Sequence, residues 1–405
     1  MIKRAFELIL KLKTKDIFFL FVFATFCYTV NAQNKVSTEV FKNQLINFGG
    51  EIGKDSEANR LQNGRVVYKK VTVPEFPKGT DVTLKLTVRS NGDRWDKSGS
   101  CFVLTDPNQI SIIDVSKGEK IFPEGSFVGK KFKGIKATAK YKPALELLRF
   151  MTPFGVGHYS NETGKHRKPV YIPSWEKEVV WEQDISHLTK EVTGTFYVGV
   201  WIDTWTKEGY SVDLSFTYSN RPLKKVNIMP LINTIPYVEG QQLPDFFATT
   251  TLKSSFKLDN NVKNVKLYYT TTGHGGHAGG DEFIKIRNKV FINNELKIDT
   301  IPWRDDCSSF RRFNPTSGVW LKKDSASYID FEAQTYKIKM IEERIASSDL
   351  SRSNWCPGSS VDPFVIDLGD LKSGEHSIEI AIPATLASED KFNHWLVSAY
   401  LTYEN

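Results

Sequence analysis

Apolar and polar residues alternate with a period of two along most of this chain. Val82, Leu84, Leu86 and Val88 form one such run, and Tyr210, Val212, Leu214, Phe216 and Tyr218 another. Ile378, Ile380 and Ile382 follow, then Trp395, Val397, Ala399 and Leu401. This is the pattern of half-buried antiparallel strands. Turn-forming segments separate the runs: Ser90-Asn91-Gly92-Asp93, Asn293-Asn294, Pro315-Thr316-Ser317-Gly318 and Lys372-Ser373-Gly374. Many strands with irregular, sometimes long loops predict an all-β protein built of sandwiches or jelly rolls. Helix signals are few. Pro143–Phe150 is short and apolar on one side, and the Glu/Lys-rich stretch Tyr328–Ile345 reads as a surface helix or a long excursion.

The first 32 residues break the pattern. Lys3, Arg4, Lys11, Lys13 and Lys15 precede an apolar run from Ile17 to Val30, and Val30-Asn31-Ala32 fits a small-residue cleavage rule. Residues 1–32 are therefore expected to be a cleavable export signal, with Gln33 starting a product that is periplasmic or secreted. No later segment is apolar enough to span a bilayer. The remaining length of about 370 residues exceeds one comfortable core and predicts two domains. The polar, Pro-containing stretch Ser219–Lys225 is the best boundary, giving domains 33–220 and 221–405.

Charge narrows the partners. The leader holds five basic and two acidic residues, so +3 of the chain's +7 leaves with it and +4 remains. That mild excess, scattered along the chain, does not call for nucleic acid. Three cysteines remain after the leader. Cys307 and Cys356 both lie in Gly/Ser/Asn-rich loop sequence and are expected to form a disulfide, leaving Cys101 free as a buried small hydrophobe. No zinc-type spacing is present.

Candidate chemistry comes from acids set beside aromatics: Trp95-Asp96, Asp203-Thr204-Trp205 and Asp281-Glu282-Phe283. The third follows the flexible loop Thr271–Gly280. Carboxylates flanked by aromatic faces suit hydrolysis of a sugar-bearing substrate. Two carboxyls in differing environments can divide proton transfer between them. No G-x-S-x-G elbow supports a serine mechanism. His274 and His277 have a spacing compatible with metal binding, but no third ligand is evident; a hydrogen-bonding role in the loop is the other reading. The bland readings stay open too. Asp96 also fits a turn residue, Glu282 a solvated acid, Trp205 and Trp355 core aromatics, and Arg352 a structural ion pair. Asn161-Glu162-Thr163 has the form of a glycosylation sequon and is read as accidental.

Taken in order, Trp95-Asp96, Phe150–Gly157, Asp203-Thr204-Trp205, Tyr210–Asp213, the His277 loop with Glu282, and Ser351–Gly358 resemble the bacterial peptide-N-glycosidase F family. The resemblance implies two eight-stranded antiparallel jelly rolls packed side by side, with the site in the cleft between them. It implies hydrolysis of the asparagine side-chain amide in N-glycosylated peptides and denatured glycoproteins by a monomer, without metal or cofactor. Residue by residue, Asp96 matches the principal catalytic aspartate and Glu282 a catalytic glutamate. Asp203 stands where the family has a third acid, a glutamate. Trp205, Arg352 and Trp355 match residues lining or supporting the cleft, and His277 a sugar-contacting histidine. Lys97 replaces an arginine, and Gly275 stands where the family's loop often carries a tryptophan. Two other classes remain: a non-catalytic glycan-binding jelly roll, which needs the aromatics but not the acids, and a copper monooxygenase on twin jelly rolls, which needs several histidines from both domains.

Overall fold

The computed structural model describes residues 35–49, 58–76, 79–104, 109–156, 174–219, 221–241, 245–275, 280–386 and 393–405. The expected leader, the sequon, Gly157 and His277 lie outside the described residues. Strands dominate, and every strand pairing is antiparallel. In the first half, one sheet has the order β1 (Lys35–Ile46), β9 (Tyr210–Ser219), β4 (Asp81–Ser90), β7 (Val179–Asp184). Facing it is a six-stranded sheet. It orders β17 (Ser360–Val361), β6 (Leu145–Met151), β5 (Ser98–Leu104), β8 (Gly194–Ile202), β3 (Val66–Val73) and β2 (Asn59–Leu61). Strand β17 comes from the second half of the chain and stitches the two halves together through β6.

The two strongest alternating runs pair with each other. Val82 lies opposite Tyr218, Leu84 opposite Phe216, Leu86 opposite Leu214 and Val88 opposite Val212. All eight side chains are buried in the core between the two sheets. Their neighbours on the other face include Thr83, Lys85, Thr217 and Ser215, which suit solvent. One buried face fixes register, because a one-residue slip would expose the whole set.

The second half packs two four-stranded sheets. One orders β10 (Asn227–Asn233), β20 (His394–Glu404), β12 (Val262–His274), β18 (Phe364–Leu371). The other orders β11 (Leu252–Leu258), β19 (Gly374–Ala381), β13 (Asn288–Ile292), β14 (Glu295–Thr300). Ile378, Ile380 and Trp395 enter the core between them. That cluster also takes in Tyr68, Phe102 and Trp201 from the outer face of the six-stranded sheet. Strands β5 and β6 are thus covered on both faces and do not alternate. Two antiparallel β-sandwiches side by side result.

Two helical readings fail. Pro143–Phe150 is largely strand β6. Tyr328–Ile345 belongs to a two-stranded ribbon, β15 (Val319–Asp330) with β16 (Thr335–Ala346), joined through twelve paired positions. Lys337 bonds Asp330, and the Lys339 ammonium lies 5.1 Å from the Tyr328 ring centre. The ribbon mixes charged residues with exposed apolar ones, among them Ile329, Phe331, Tyr336, Ile338 and Met340, because it has little core to face. No helix among the described residues is long and apolar enough to cross a membrane.

Candidate active site

Asp96 sits on the loop between β4 and β5, and hydrogen bonds fix that loop on both sides of it. The Asp93 carboxylate accepts from the Trp95 N–H (3.1 Å) and from Thr204 Oγ1 (2.7 Å). Lys97 N–H donates to Thr152 Oγ1 (2.8 Å), which donates to Tyr210 Oη (3.0 Å), which donates to the Trp95 carbonyl (2.8 Å). The Thr152 N–H in turn reaches the Lys97 carbonyl at 2.8 Å. The chain leaves Trp95 outward, 63% exposed, and turns Asp96 inward with 12% of its side chain exposed.

Glu282 arrives from the other half, in a single 3-10 turn (Asp281–Phe283) after β12. Its neighbour Asp281 is wholly buried and structural. Asp281 accepts from Thr385 N–H (3.1 Å) and Trp395 Nε1 (2.8 Å). Ser353 completes the clamp: its N–H donates to the Glu282 carbonyl and its hydroxyl to the Asp281 carbonyl.

Arg352 joins the two acids. Its Nε donates to Glu282 Oε1 at 2.8 Å, and its Nη2 stands 3.6 Å from Asp96 Oδ2. Nη1 donates to the Leu350 carbonyl at 2.8 Å. The guanidinium lies 4.9 Å from the Trp355 ring centre and 5.0 Å from that of Phe283. The expected disulfide, Cys307–Cys356, follows directly, with a Cα–Cα distance of 5.0 Å. Cys101 is free and buried as expected, and burial pushes its thiol far up.

Asp96 and Glu282 therefore come together around one buried cation, with two negative charges to one positive. Burial raises Asp96 from 3.8 to about 7; Arg352 and Lys97 oppose the rise, and Glu282 adds to it. Asp96 Oδ2 is buried and accepts no hydrogen bond from the protein. Native structures leave few such atoms, and a catalytic role is one of the recognised reasons.

Other candidates fall elsewhere. The Asp203 carboxylate bonds Arg65 Nη1 at 3.1 Å, not Arg352, and its side chain is 32% exposed. It stands at the neighbouring strand end as a rim residue, where its partner cation places it outside the acid pair. Trp205 is 54% exposed, with one face on the Arg65 guanidinium at 4.0 Å. Lys97 is half-buried and close enough to favour the ionised Asp96. Trp355 takes the supporting place of the two expected for it, lining or supporting: it is 2% exposed and presents no ring face for a substrate. Its Nε1 donates to the Gly273 carbonyl (2.8 Å), and its ring stacks on His274 while carrying Arg352. Gly273 is required there, since a Cβ would lie 2.8 Å from the Trp395 ring. His274 is buried, hydrogen-bonded to Thr272 Oγ1, and its pKa is pushed well below the usual imidazole range by burial. Among the described residues no group of three His, Cys, Asp or Glu side chains is placed to hold a metal ion. Sequence reasoning gives no role to Arg65, Asp93 or Thr152. A polar residue in an otherwise apolar run, as at Thr152, is the one signal they leave.

Two sequence families match this chain: Peptide-N-glycosidase F, N terminal, over residues 37–218, and Peptide-N-glycosidase F, C terminal, over 242–402. The chain belongs to the peptide-N-glycosidase F family. Among solved structures it is similar to PNGF-II in its C2 crystal form, with 33% identity and a TM-score of 0.77 over 92% of this chain. It spans 65% of the length of that PNGF-II chain. PNGase F, described as a glycosylasparaginase from Flavobacterium meningosepticum, is 14% identical, with a TM-score of 0.57 over 92% of this chain and 96% of its own. At that identity the likeness concerns the fold, the side-by-side β-sandwiches described above. No match was found among curated proteins.

Proposed function

We propose that this protein is an amidohydrolase that removes N-linked glycans by cleaving the asparagine side-chain amide, giving an aspartyl peptide and a glycosylamine. One observation carries the reading: an acid from each half of the chain is ion-paired to the same buried guanidinium, that of Arg352. A binding module needs aromatic faces, and the exposed Trp95 and Trp205 would serve it. It has no need of a carboxyl held near 7 with a buried oxygen that accepts no hydrogen bond.

Amide hydrolysis requires a water made nucleophilic, a stabilised oxyanion and a protonated leaving nitrogen. A carboxyl titrating at about 7 is well matched to the first and last tasks. As carboxylate, Asp96 takes a proton from water; as acid, it returns one to the nitrogen. Arg352 is a positioning residue. It offsets one of the two negative charges and keeps Glu282 and Asp96 facing a common space. Glu282 fits contact with the substrate amide or its first sugar. Trp95 and Trp205 offer open ring faces at the rim. The residues call for no metal or cofactor in these steps. N-glycosylated peptides and unfolded glycoproteins are the substrates proposed. Export through cleavage before Gln33 belongs to the same reading, and the Cys307–Cys356 disulfide suits an oxidising compartment.

The test is incubation with a denatured N-glycoprotein, with and without EDTA, and mass spectrometry of the peptide. Conversion of the glycosylated Asn to Asp is expected in both arms and should vanish in Asp96→Asn. Intact glycopeptide with measurable sugar affinity would instead establish the binding module, and loss of conversion under EDTA a metal-dependent reaction.

A further inference from the structure

The end of the six-stranded sheet that carries Asp96 also carries a cavity. Its volume is about 560 Å³, and its lining includes Arg60, Leu61, Asn63, Val115, Ser116 and Glu239. That size suits a small-molecule or sugar ligand. Backbone bonds trace the path from one site to the other. Asp203 N–H donates to the Ser98 carbonyl, Ile202 N–H to the Arg65 carbonyl, and Arg65 N–H to the Gln62 carbonyl. The first two bonds cross from β5 to β8 and from β8 to the start of β3, and the third closes the turn between β2 and β3. Strand β2 stands three strand spacings of about 4.8 Å from β5, which puts the cavity on the order of 14 Å from the acid pair along one rim. The ground between is Asp203 and the exposed Trp205, whose ring centre lies 5.0 Å from that of Phe48.

The cavity is built rather than incidental. Gln62, Asn63 and Gly64 take left-handed backbone angles in succession, with φ of 51°, 53° and 94°. Two non-glycine residues in that region cost energy and need their surroundings to hold them. Gln62 supplies the hold: its Nε2 donates to the Pro236 carbonyl (2.5 Å) and its Oε1 accepts from Trp201 Nε1 (2.9 Å). The pinned turn sets the Asn63 amide at the mouth, 3.5 Å from Glu239. Two lining side chains also hold buried polar atoms without a partner, Arg60 Nε and Ser116 Oγ. Amide, carboxylate, guanidinium and hydroxyl groups converge beside Leu61, Val115 and Val238. Both donors and acceptors are on offer, with apolar surface between, which matches rings carrying many hydroxyls and C–H faces.

We propose that this cavity is a distal glycan subsite, holding sugars several units from the asparagine while the acid pair works on the amide; it rests on the hydrolase reading. Energy gained there can be used at the reacting centre. The distance spans a short oligosaccharide, so a two-sugar core would leave the cavity empty.

Two glycopeptides with one peptide sequence decide it, one bearing only the innermost two sugars and one a full high-mannose glycan. Two variants probe the cavity. Ser116→Phe fills it, and Asn63→Gly removes the amide while tolerating the left-handed backbone. The expected result is a KM for the long glycan raised about tenfold by either variant, the cost of one or two hydrogen bonds, with the KM for the short glycan as the unmoved reference. Equal changes for both substrates, or none, would overturn the subsite. Calorimetric titration with free high-mannose oligosaccharide supplies a readout that needs no hydrolysis. Binding to the unmodified protein that Ser116→Phe abolishes supports the subsite, and binding that survives it, or no binding, refutes it. Failure of the hydrolase reading would show separately, as no turnover of either glycopeptide.

Discussion

Replacing Asp96 with Asn should stabilise the folded protein at alkaline pH while abolishing its chemistry. Asp96 is raised from 3.8 to about 7, chiefly by burial. Between roughly pH 4 and pH 7 the folded state therefore binds more protons at this site than the unfolded chain does. Unfolding free energy must then fall as pH rises through that window. At about 1.4 kcal/mol per unit, roughly three units amount to about 4 kcal/mol of stability forgone by the ionised native protein at pH 8. Asparagine cannot ionise, and Arg352 keeps Glu282 as its partner at 2.8 Å. The variant should match wild type near pH 4 and exceed it by up to about 4 kcal/mol at pH 8. Urea unfolding of both proteins at pH 4, 6 and 8 measures this, because subtracting one curve from the other cancels the titrating groups that do not interact with Asp96. A difference that does not vary with pH, or a variant less stable at pH 8, would refute the desolvated placement of Asp96.

Arg352 sets the same titration from the opposite side. At 3.6 Å and an effective dielectric near 20, its charge favours the Asp96 carboxylate by about 4 to 5 kcal/mol. Arg352→Met should therefore shift the Asp96 limb of the pH–rate profile upward by about 3 units, whereas Arg352→Lys should move it little; a limb fixed in the Met variant removes Arg352 as its charge partner. His187 is lowered from 6.5 to about 4, mainly by burial, with its ring stacked on Tyr268 at 4.6 Å, its Nε2 hydrogen-bonded to Tyr400 Oη, and Asp184 and Lys266 also acting on it. Its neutral form is the folded form, so stability is lost as pH falls from about 6.5 to 4, by about 3 kcal/mol, and His187→Gln should flatten that loss in acid denaturation. Replacing residues 321–344 with a short turn should change thermal stability by less than about 1 kcal/mol, since none of its described side chains joins a core cluster; a larger drop in a melting experiment would show the ribbon to be part of the body.

The sandwiches were legible wherever one sheet face is buried and the other wet. The alternating residues of β4 and β9 proved to be each other's cross-strand partners. Strand β6 was not legible, for a specific reason. Glu146 and Arg149 stand three apart, the spacing of one helix face, and strand parity would send them to opposite sides. Pairing with β5 skips Leu147, from Cys101 opposite Leu148 to Phe102 opposite Glu146. This bulge returns both polar groups to one side. There Arg149 grips both Glu146 oxygens at 2.6 and 2.9 Å and reaches Thr272 and Leu396 in the other half. A buried ion pair between sandwiches looks like helix in sequence because sequence does not display the bulge.

The site divides in the same way. Asp96, Glu282 and Arg352 lie where acid or basic residues interrupt turns beside aromatics, and such positions are readable. Which aromatic faces solvent is not. Trp95 and Trp205 stay outside, while Trp355 is drawn under Arg352 by the disulfide at Cys356 and the bare backbone of Gly273. Asp203 carries the same acid-and-aromatic signature as Asp96. Its fate turns on Arg65, a residue on a different strand that no local pattern connects to it. Burial, not sequence neighbourhood, separates the two aspartates: one keeps a direct hydrogen-bonded cation and a third of its side-chain surface, the other has 12% exposure and a cation at 3.6 Å. A chain selected for stability alone would not hold the second arrangement. The hydrogen bonds from Lys97 through Thr152 and Tyr210 to Trp95 keep Asp96 from turning outward, so its raised proton affinity is a property of the folded loop and not of the residue.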